Sequence, residues 1–380
     1  MCFRTGFLSF PKALSRFQVF GWRFKGGLPI DGLITNLFET AYVHRVVAAL
    51  RLRWFISDFV IKRVLWFLTG TMAGMNQHVG GLPSDRLGRA YVFLNKSNRA
   101  MPYLNRPYKP QFSFLDLIGN KYIDPPEDAN SDRFVDTSTF PTHFDSTGRA
   151  IFFPRPGRKD WVRMKDKVVR PTCVVFCTGY KQVFSLLDPF YPTAEEANVR
   201  NIITSGHPDI AFIGFVRPGV GAIPPIAEQQ AMWWTALITH RMDIPRSPPH
   251  YHLLAKEDSR IKYGVDHSAY MSQLARDFGG APGLLDLYRS HGLYVLMVYC
   301  FGAAFTTFYR LTGPFAFEDA KRITRTELAE TILRRGVLGN LFFGAIPMAF
   351  YAVVNGIAWL LDLCWLIPRE ETFSDGTRTE

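Results

Sequence analysis

Cysteine is scarce in this 380-residue chain and poorly arranged for a structural role. The five residues, Cys2, Cys173, Cys177, Cys300 and Cys364, are odd in number, and no two have Cys-x-x-Cys spacing. A disulfide framework and a metal centre are therefore unsupported, and a reducing compartment is the expectation. Cys173 and Cys177 lie four apart on an expected strand, which predicts both on one face as core. His78, His143, His207 and His267 also lack metal-ligand spacing, so each is expected to be a surface or locally hydrogen-bonded histidine. Lysine-rich runs are missing too. The net charge is +11, but no nucleic-acid module accompanies it, so anionic cofactors or a membrane surface explain it better than nucleic acid. The opening "MCFRTGFLSFPKALSRF" has no clean apolar run before a small-residue cleavage site, so no signal peptide is read there.

Apolar residues are plentiful: 47% of the chain, with 33 Phe. A large core is affordable and wholesale disorder is excluded. Residues 40–69 contain no Gly or Pro, and apolar residues recur there at helical spacing between Arg45, Arg51, Arg53, Lys62 and Arg63. They predict one or two basic, very apolar helices, packed on the body or touching a membrane interface. Residues 102–160 are rich in Pro, Asp, Asn and Gly and predict short strands and loops. "VLGNLFFGAIPMAFYAVVNGIAWLL", 337–361, carries no charge and is long enough to span a bilayer, which takes about 20 apolar residues. Lys321, Arg322, Arg325, Arg334 and Arg335 precede it, while its far end is net acidic. That asymmetry predicts membrane insertion with the main body cytosolic; Asn340, Pro347 and Asn355 leave a monotopic hairpin open. The uncharged run 292–309 is borderline, a span or a buried helix.

The middle of the chain holds the sharpest signals. "CVVFCTGY" predicts a buried strand at 174–177 that ends in a Thr-Gly-aromatic corner. "DIAFIGF" predicts a second strand at 210–215, in the same sheet or an adjoining layer. A glycine turn follows, then a helix starting near Pro224 or Pro225, where proline is tolerated in the first turn. Ala227, Ala231, Trp234 and Ile238 supply its apolar period. Strand, glycine turn and helix N-terminus in that order suit an anion, because free N–H groups and the helix dipole favour negative charge. Gly219 and Gly221 permit close approach, Ala222 stands at the helix start, and Arg217 supplies a full charge.

Thr172-Cys173-Val174-Val175-Phe176-Cys177-Thr178-Gly179-Tyr180 resembles the D-x-V-V-F-A-T-G-Y segment of the flavin-containing monooxygenases, especially their fungal and bacterial dimethylaniline-monooxygenase-like branch. Thr172 stands at the acidic position and Cys177 at the alanine. Ala211 to Phe215, Gly219 to Pro224 and Glu228-Gln229-Gln230-Ala231 are similar to that family's last FAD-domain strand and helix. "YGVDHSAYMSQLARDFGGAP" (263–282) and "FGAAFTTFYRLTGP" (301–314) also resemble this branch. Phe3-Arg4-Thr5-Gly6-Phe7 matches the stretch that follows the NADPH fingerprint in family members.

The resemblance implies an α/β flavoprotein, here a partial pair of Rossmann-like dinucleotide-binding domains. Residues 1–168 would be a remnant of the NADPH domain with a helical insertion at about 35–75. Residues 169–285 would be the C-terminal part of the FAD domain, and 286–380 an apolar, membrane-associated helical region. It implies FAD and NADPH as cofactors. It also implies transfer of one oxygen from O2, through a C4a-hydroperoxyflavin, to a soft nucleophilic or electron-rich small molecule. Arg4 is the implied partner of the NADPH 2′-phosphate. Thr178, Gly179 and Tyr180 are the implied corner against the cofactors, and Arg217, Gly219, Gly221 and Ala222 the implied FAD wall. No acid–base pair follows, because the difficult chemistry belongs to the cofactor. Family members carry G-x-G-x-x-G for FAD and again for NADPH, and neither is found in these 380 residues. The chain is thus expected to be N-terminally truncated. A catalytically incompetent remnant, an incomplete chain, and a membrane-associated non-enzymatic protein all stay open.

Overall fold

The computed structural model describes residues 37–50, 141–157, 159–176, 184–218, 221–252 and 264–364, together with 56, 59, 135, 136, 138 and 139. Helices dominate. Chain order runs from α1 (Arg45–Ala49) to a hairpin of β1 (Pro141–Phe144) and β2 (Ala150–Phe152), then α2 (Lys159–Met164). The parallel pair β3 (Arg217–Pro218) and β4 (Gly264–Val265) follows, with α3 (Ile223–Ile238) between them and α4 (His267–Asp277) after. The remaining elements are α5 (Leu284–His291), α6 (Leu293–Phe301), a 3-10 turn at Thr306–Arg310, α7 (Ala320–Ile323), α8 (Ala329–Leu333), α9 (Gly336–Asn340) and α10 (Ile346–Leu363). Among the described residues no sheet is wider than two strands. This is a mixed α/β body with small sheets.

α3 starts where the prolines place it, with Pro224 inside the first turn. Its buried face differs from the expected one. Ile226, Gln229, Gln230, Trp233 and Ala236 point inward, whereas Ala231 and Ile238 are exposed. The inward stripe contains two glutamines, and their polarity hid it from a hydrophobic count. α4 lies against α3 and is buried almost all round. Two of its polar members are satisfied: Ser272 Oγ pairs with Tyr309 Oη at 2.8 Å, and Gln273 Nε2 donates to the Pro248 carbonyl at 2.9 Å. Ile202, Ile226, Trp233, Tyr251, Val265, Tyr270 and Leu274 form the centre of this core. A second core gathers Leu37 and Ala41 with Leu287, Val295, Tyr299, Phe308 and Ala320.

Both expected strands are corrected. Val174, Val175 and Phe176 lie in no strand and are exposed at 48%, 76% and 82%. Cys173 is exposed as well, so it is not core. Residues 210–215 turn instead of pairing. Gly214 takes a φ of 82°, and its N–H donates to Gln230 Oε1 at 2.7 Å, so that donor is withdrawn from any ladder. Phe212 and Phe215 pack edge-on against Phe184. A strand needs a ladder of bonds to a neighbour; 210–215 has a single such bond, from the Phe212 N–H to the Ile202 carbonyl at 2.8 Å, and no strand pairs with either stretch among the described residues.

The expected helical insertion at 35–75 is helical at α1 and at residues 56 and 59, and the rest lies outside the described residues. The hairpin β1–β2 matches the short strands expected in 102–160. The run 292–309 is not a single helix. It breaks at Gly302, where the backbone turns extended (φ −78°, ψ 164°), and a glycine is needed there because a Cβ would sit 2.5 Å from the Phe308 ring and 2.7 Å from the Val298 carbonyl. The run 337–361 is helical throughout: α9, a π turn at Leu341–Ala345 and α10 continue without interruption. The π turn ends at Ala345, and Pro347 falls in the first turn of α10, where its missing N–H is tolerated.

Candidate cofactor-binding site

β3 and β4 run parallel, with Arg217 opposite Gly264 and Pro218 opposite Val265. Each strand leads into a helix, so the N-termini of α3 and α4 stand at the same end of the pair. Gly221 joins them. Its φ is 135°, and a Cβ there would meet the His267 ring at 2.3 Å. Both the backbone angle and the close ring demand glycine. His267, the first residue of α4, is 7% exposed. It is therefore not a surface residue, and among the described residues no group of three or more His, Cys, Asp or Glu is placed to hold a metal ion. His143 on β1 is exposed and pairs with Thr142 Oγ1. His207, half-buried, packs edge-on against Phe190. His78 lies outside the described residues.

The two helix starts differ. Asp266 caps α4, its carboxylate accepting from the Ala269 N–H at 2.9 Å. α3 begins at Ala222 with no side-chain cap. Pro224 and Pro225 have no N–H, so the backbone donors of that end come from Ala222 and Ile223. Half-buried Arg217 adds a guanidinium at the start of β3. The arrangement attracts an anion with few directional donors. Glu228, one turn into α3, is occupied elsewhere: it accepts from Thr306 Oγ1 at 2.9 Å and from Arg310 Nη1 at 3.2 Å.

Of the residues expected at the site, Arg217 lies on β3, and Gly221 and Ala222 lie at the start of α3. Arg4, Thr178, Gly179, Tyr180 and Gly219 lie outside the described residues. Sequence reasoning missed His267 and Gln230. The Asp before His267 was a legible N-cap signal, whereas nothing in the sequence marks Gln230 as the acceptor for Gly214.

Behind the site lies a buried polar network. Arg200 grips both oxygens of Asp277, Nε to Oδ2 at 2.6 Å and Nη2 to Oδ1 at 3.0 Å. It also donates to the Ser247 carbonyl and hydroxyl. Trp233 Nε1 donates to Asp277 Oδ2 at 3.0 Å. Gln230 Nε2 donates to the Tyr270 hydroxyl at 2.8 Å, and that hydroxyl donates to the Arg200 carbonyl. Burial holds the Tyr251 and Tyr270 phenols well above their ordinary range. Burial, then the Arg200 charge, lowers His252. The two phenols therefore stay protonated at physiological pH.

Gly221→Ala is expected to destabilise the fold by about 1–3 kcal/mol, as overpacking does. The companion change His267→Ala should recover part of that loss, because it removes the ring atoms at 2.3 and 2.5 Å, while the contact with the residue-267 Cβ at 2.8 Å and the backbone strain remain. Urea unfolding of the single and double variants measures this, and a Gly221→Ala midpoint equal to wild type contradicts the geometry.

The family model for flavin-binding monooxygenase-like proteins matches residues 165–335. Monooxygenase cfoE of Aspergillus candidus is 36% identical over 316 residues, covering 80% of this chain and 54% of its own length. Monooxygenase PC-14 of Penicillium crustosum is 34% identical over 341 residues, 88% of this chain and 58% of its own. Monooxygenase ptmN of Penicillium ochrochloron is 34% identical over 370 residues, 95% and 61% respectively. The chain thus spans little more than half the length of these curated relatives.

Proposed function

The chain belongs to the flavin-binding monooxygenase-like family, and on that premise we propose that it serves an FAD- and NADPH-dependent monooxygenase acting on a small molecule with O2. The observation that carries this reading is the pairing of the family match over 165–335 with parallel strands whose helix starts converge on Gly221. Bound flavin would supply the oxygen-activating chemistry. Arg217 and the Ala222 and Ile223 N–H groups would face its negative charge, and Gly221 would keep the helix starts close enough to act together. Arg4 would hold the NADPH 2′-phosphate, and Thr178, Gly179 and Tyr180 with Gly219 would line the remaining wall. The substrate would be a soft nucleophilic or electron-rich small molecule.

Residues 1–168 then correspond to NADPH-domain sequence with its helical insertion, 169–285 to the C-terminal part of the FAD domain, and 286–380 to a membrane-associated region carried by a cytosolic body. The test uses the gene product isolated under native conditions from its own host. A bound flavin and NADPH-dependent O2 uptake are the expected result. A native product without flavin or NADPH oxidation would sink the reading in favour of a non-catalytic protein.

A further inference from the structure

The helix from Gly336 to Leu363 is built inside out for water. Its inward face carries Gly344, Tyr351, Asn355 and Ala358, with Asn355 only 3% exposed. Its outward face is an unbroken apolar line at helical spacing: Leu338, Phe342, Phe350, Val353, Ile357 and Leu360 are 44% to 63% exposed. A water-facing helix has the opposite arrangement. Small and polar residues toward protein with apolar residues outward is the arrangement suited to a hydrocarbon medium.

The same helix is fastened to the body along its length. Arg335 Nη1 donates to the Phe301 carbonyl at 2.7 Å, and Gly344 lies against the Phe301 ring. The His44 N–H donates to Asn355 Oδ1 at 2.6 Å, and Asn355 Nδ2 donates to the Phe38 carbonyl at 2.7 Å. Asp362 receives His44 Nε2 and Arg45 Nη2, each at 3.2 Å. The hydrogen bond from His44, then that from Arg45, holds the Asp362 carboxyl below its ordinary range. Standing this helix across a bilayer would either strip those bonds from Asn355 or draw His44 and Arg45 into hydrocarbon, and both are costly.

We propose that the chain docks side-on to an anionic membrane surface, with the Gly336–Leu363 helix lying in the interface rather than crossing it. This deepens the membrane part of the reading above and is independent of flavin chemistry. An interfacial helix sinks its apolar face about 5–10 Å while its other side stays on the protein, which is the one-sided burial found here. Trp359, 58% exposed near one end, is suited to the headgroup level. Charge chooses the occupant. Exposed Lys321 and Arg325 lie on the helical segment leading in, between them Arg322 paired with Asp319 at 3.0 Å, and the Arg325 guanidinium stands 5.9 Å over the ring of exposed Tyr294. With a net charge of +11, a second copy is repelled where an anionic bilayer is attracted.

The experiment is flotation of the full chain with vesicles of phosphatidylcholine plus phosphatidylserine, and with phosphatidylcholine alone. Binding should be stronger to the anionic vesicles. Val353→Glu with Leu360→Glu should weaken it about tenfold or more, with little change in melting, because both side chains are exposed in the body. Cys364, exposed just past the helix, is the topology reporter. Membrane-impermeant maleimide added outside the vesicles should label it in the bound state, as located by peptide mapping. Protection of Cys364 until detergent is added means a spanning helix and overturns the side-on claim alone. Failure to float, or flotation unaffected by the double variant, overturns the membrane reading. So does self-association abolished by that variant without any vesicle binding.

Discussion

Residues 1–380, purified as they stand, will carry far less than one flavin per chain and will not oxidise NADPH. A dinucleotide pyrophosphate needs a helix N-terminus approached through glycines, where several N–H groups point at it and the dipole helps. No G-x-G-x-x-G is present in these 380 residues. The one uncapped helix start against the parallel pair, at Ala222, contains Pro224 and Pro225, which removes two donors. Val175 and Phe176 are largely exposed, and exposed apolar surface favours association over a defined ligand site. The measurement is the visible spectrum of the purified chain and the flavin released by heat. Paired flavin bands at near one equivalent would overturn the prediction. Bands in the native gene product with none in residues 1–380 would assign flavin retention to sequence beyond this stretch.

Asp277→Ala will cost about 3–5 kcal/mol, the penalty for leaving one partner of a buried pair behind. Arg200 is 4% exposed; without Asp277 its guanidinium loses its charged partner and keeps the neutral Ser247 groups and Tyr251 hydroxyl, and Trp233 loses its acceptor. Against a usual total of roughly 5–15 kcal/mol, this removes a large share of stability. It also loosens the segment around Arg200 and Asn201, whose left-handed φ of 52° and 54° persist because their surroundings fix them. Arg200→Met with Asp277→Leu should restore much of the loss, since replacing both partners removes the unpaired charge. Urea unfolding reads both. A single variant within about 1 kcal/mol of wild type would show that the pair is solvated in solution.

Helix 223–238 and the run from 336 to 363 were legible because a helix bonds to itself, four residues along its own chain. Proline positions, period and the lack of breakers therefore suffice to place it. The break at Gly302 was not, since the Phe308 ring that requires a glycine there arrives through tertiary packing. The family was also legible, carried by "CVVFCTGY", "AFIGF" and "EQQA" in order along the chain. The strands were not. "CVVFC" and "DIAFIGF" have strand composition, but a ladder needs a partner from elsewhere, and Gly214 gives its N–H to Gln230 instead. The candidate site was half legible: Arg217, Gly221 and Ala222 were visible as a turn before a helix. That Gly221 touches His267 was decided by the parallel pairing of residues 217–218 with 264–265. Composition determined that 337–361 is apolar and helical; which side faces out was settled by His44 and Phe38 capturing Asn355. Local bonding and periodicity belong to the sequence, whereas the choice of face and partner depends on groups far apart in the chain.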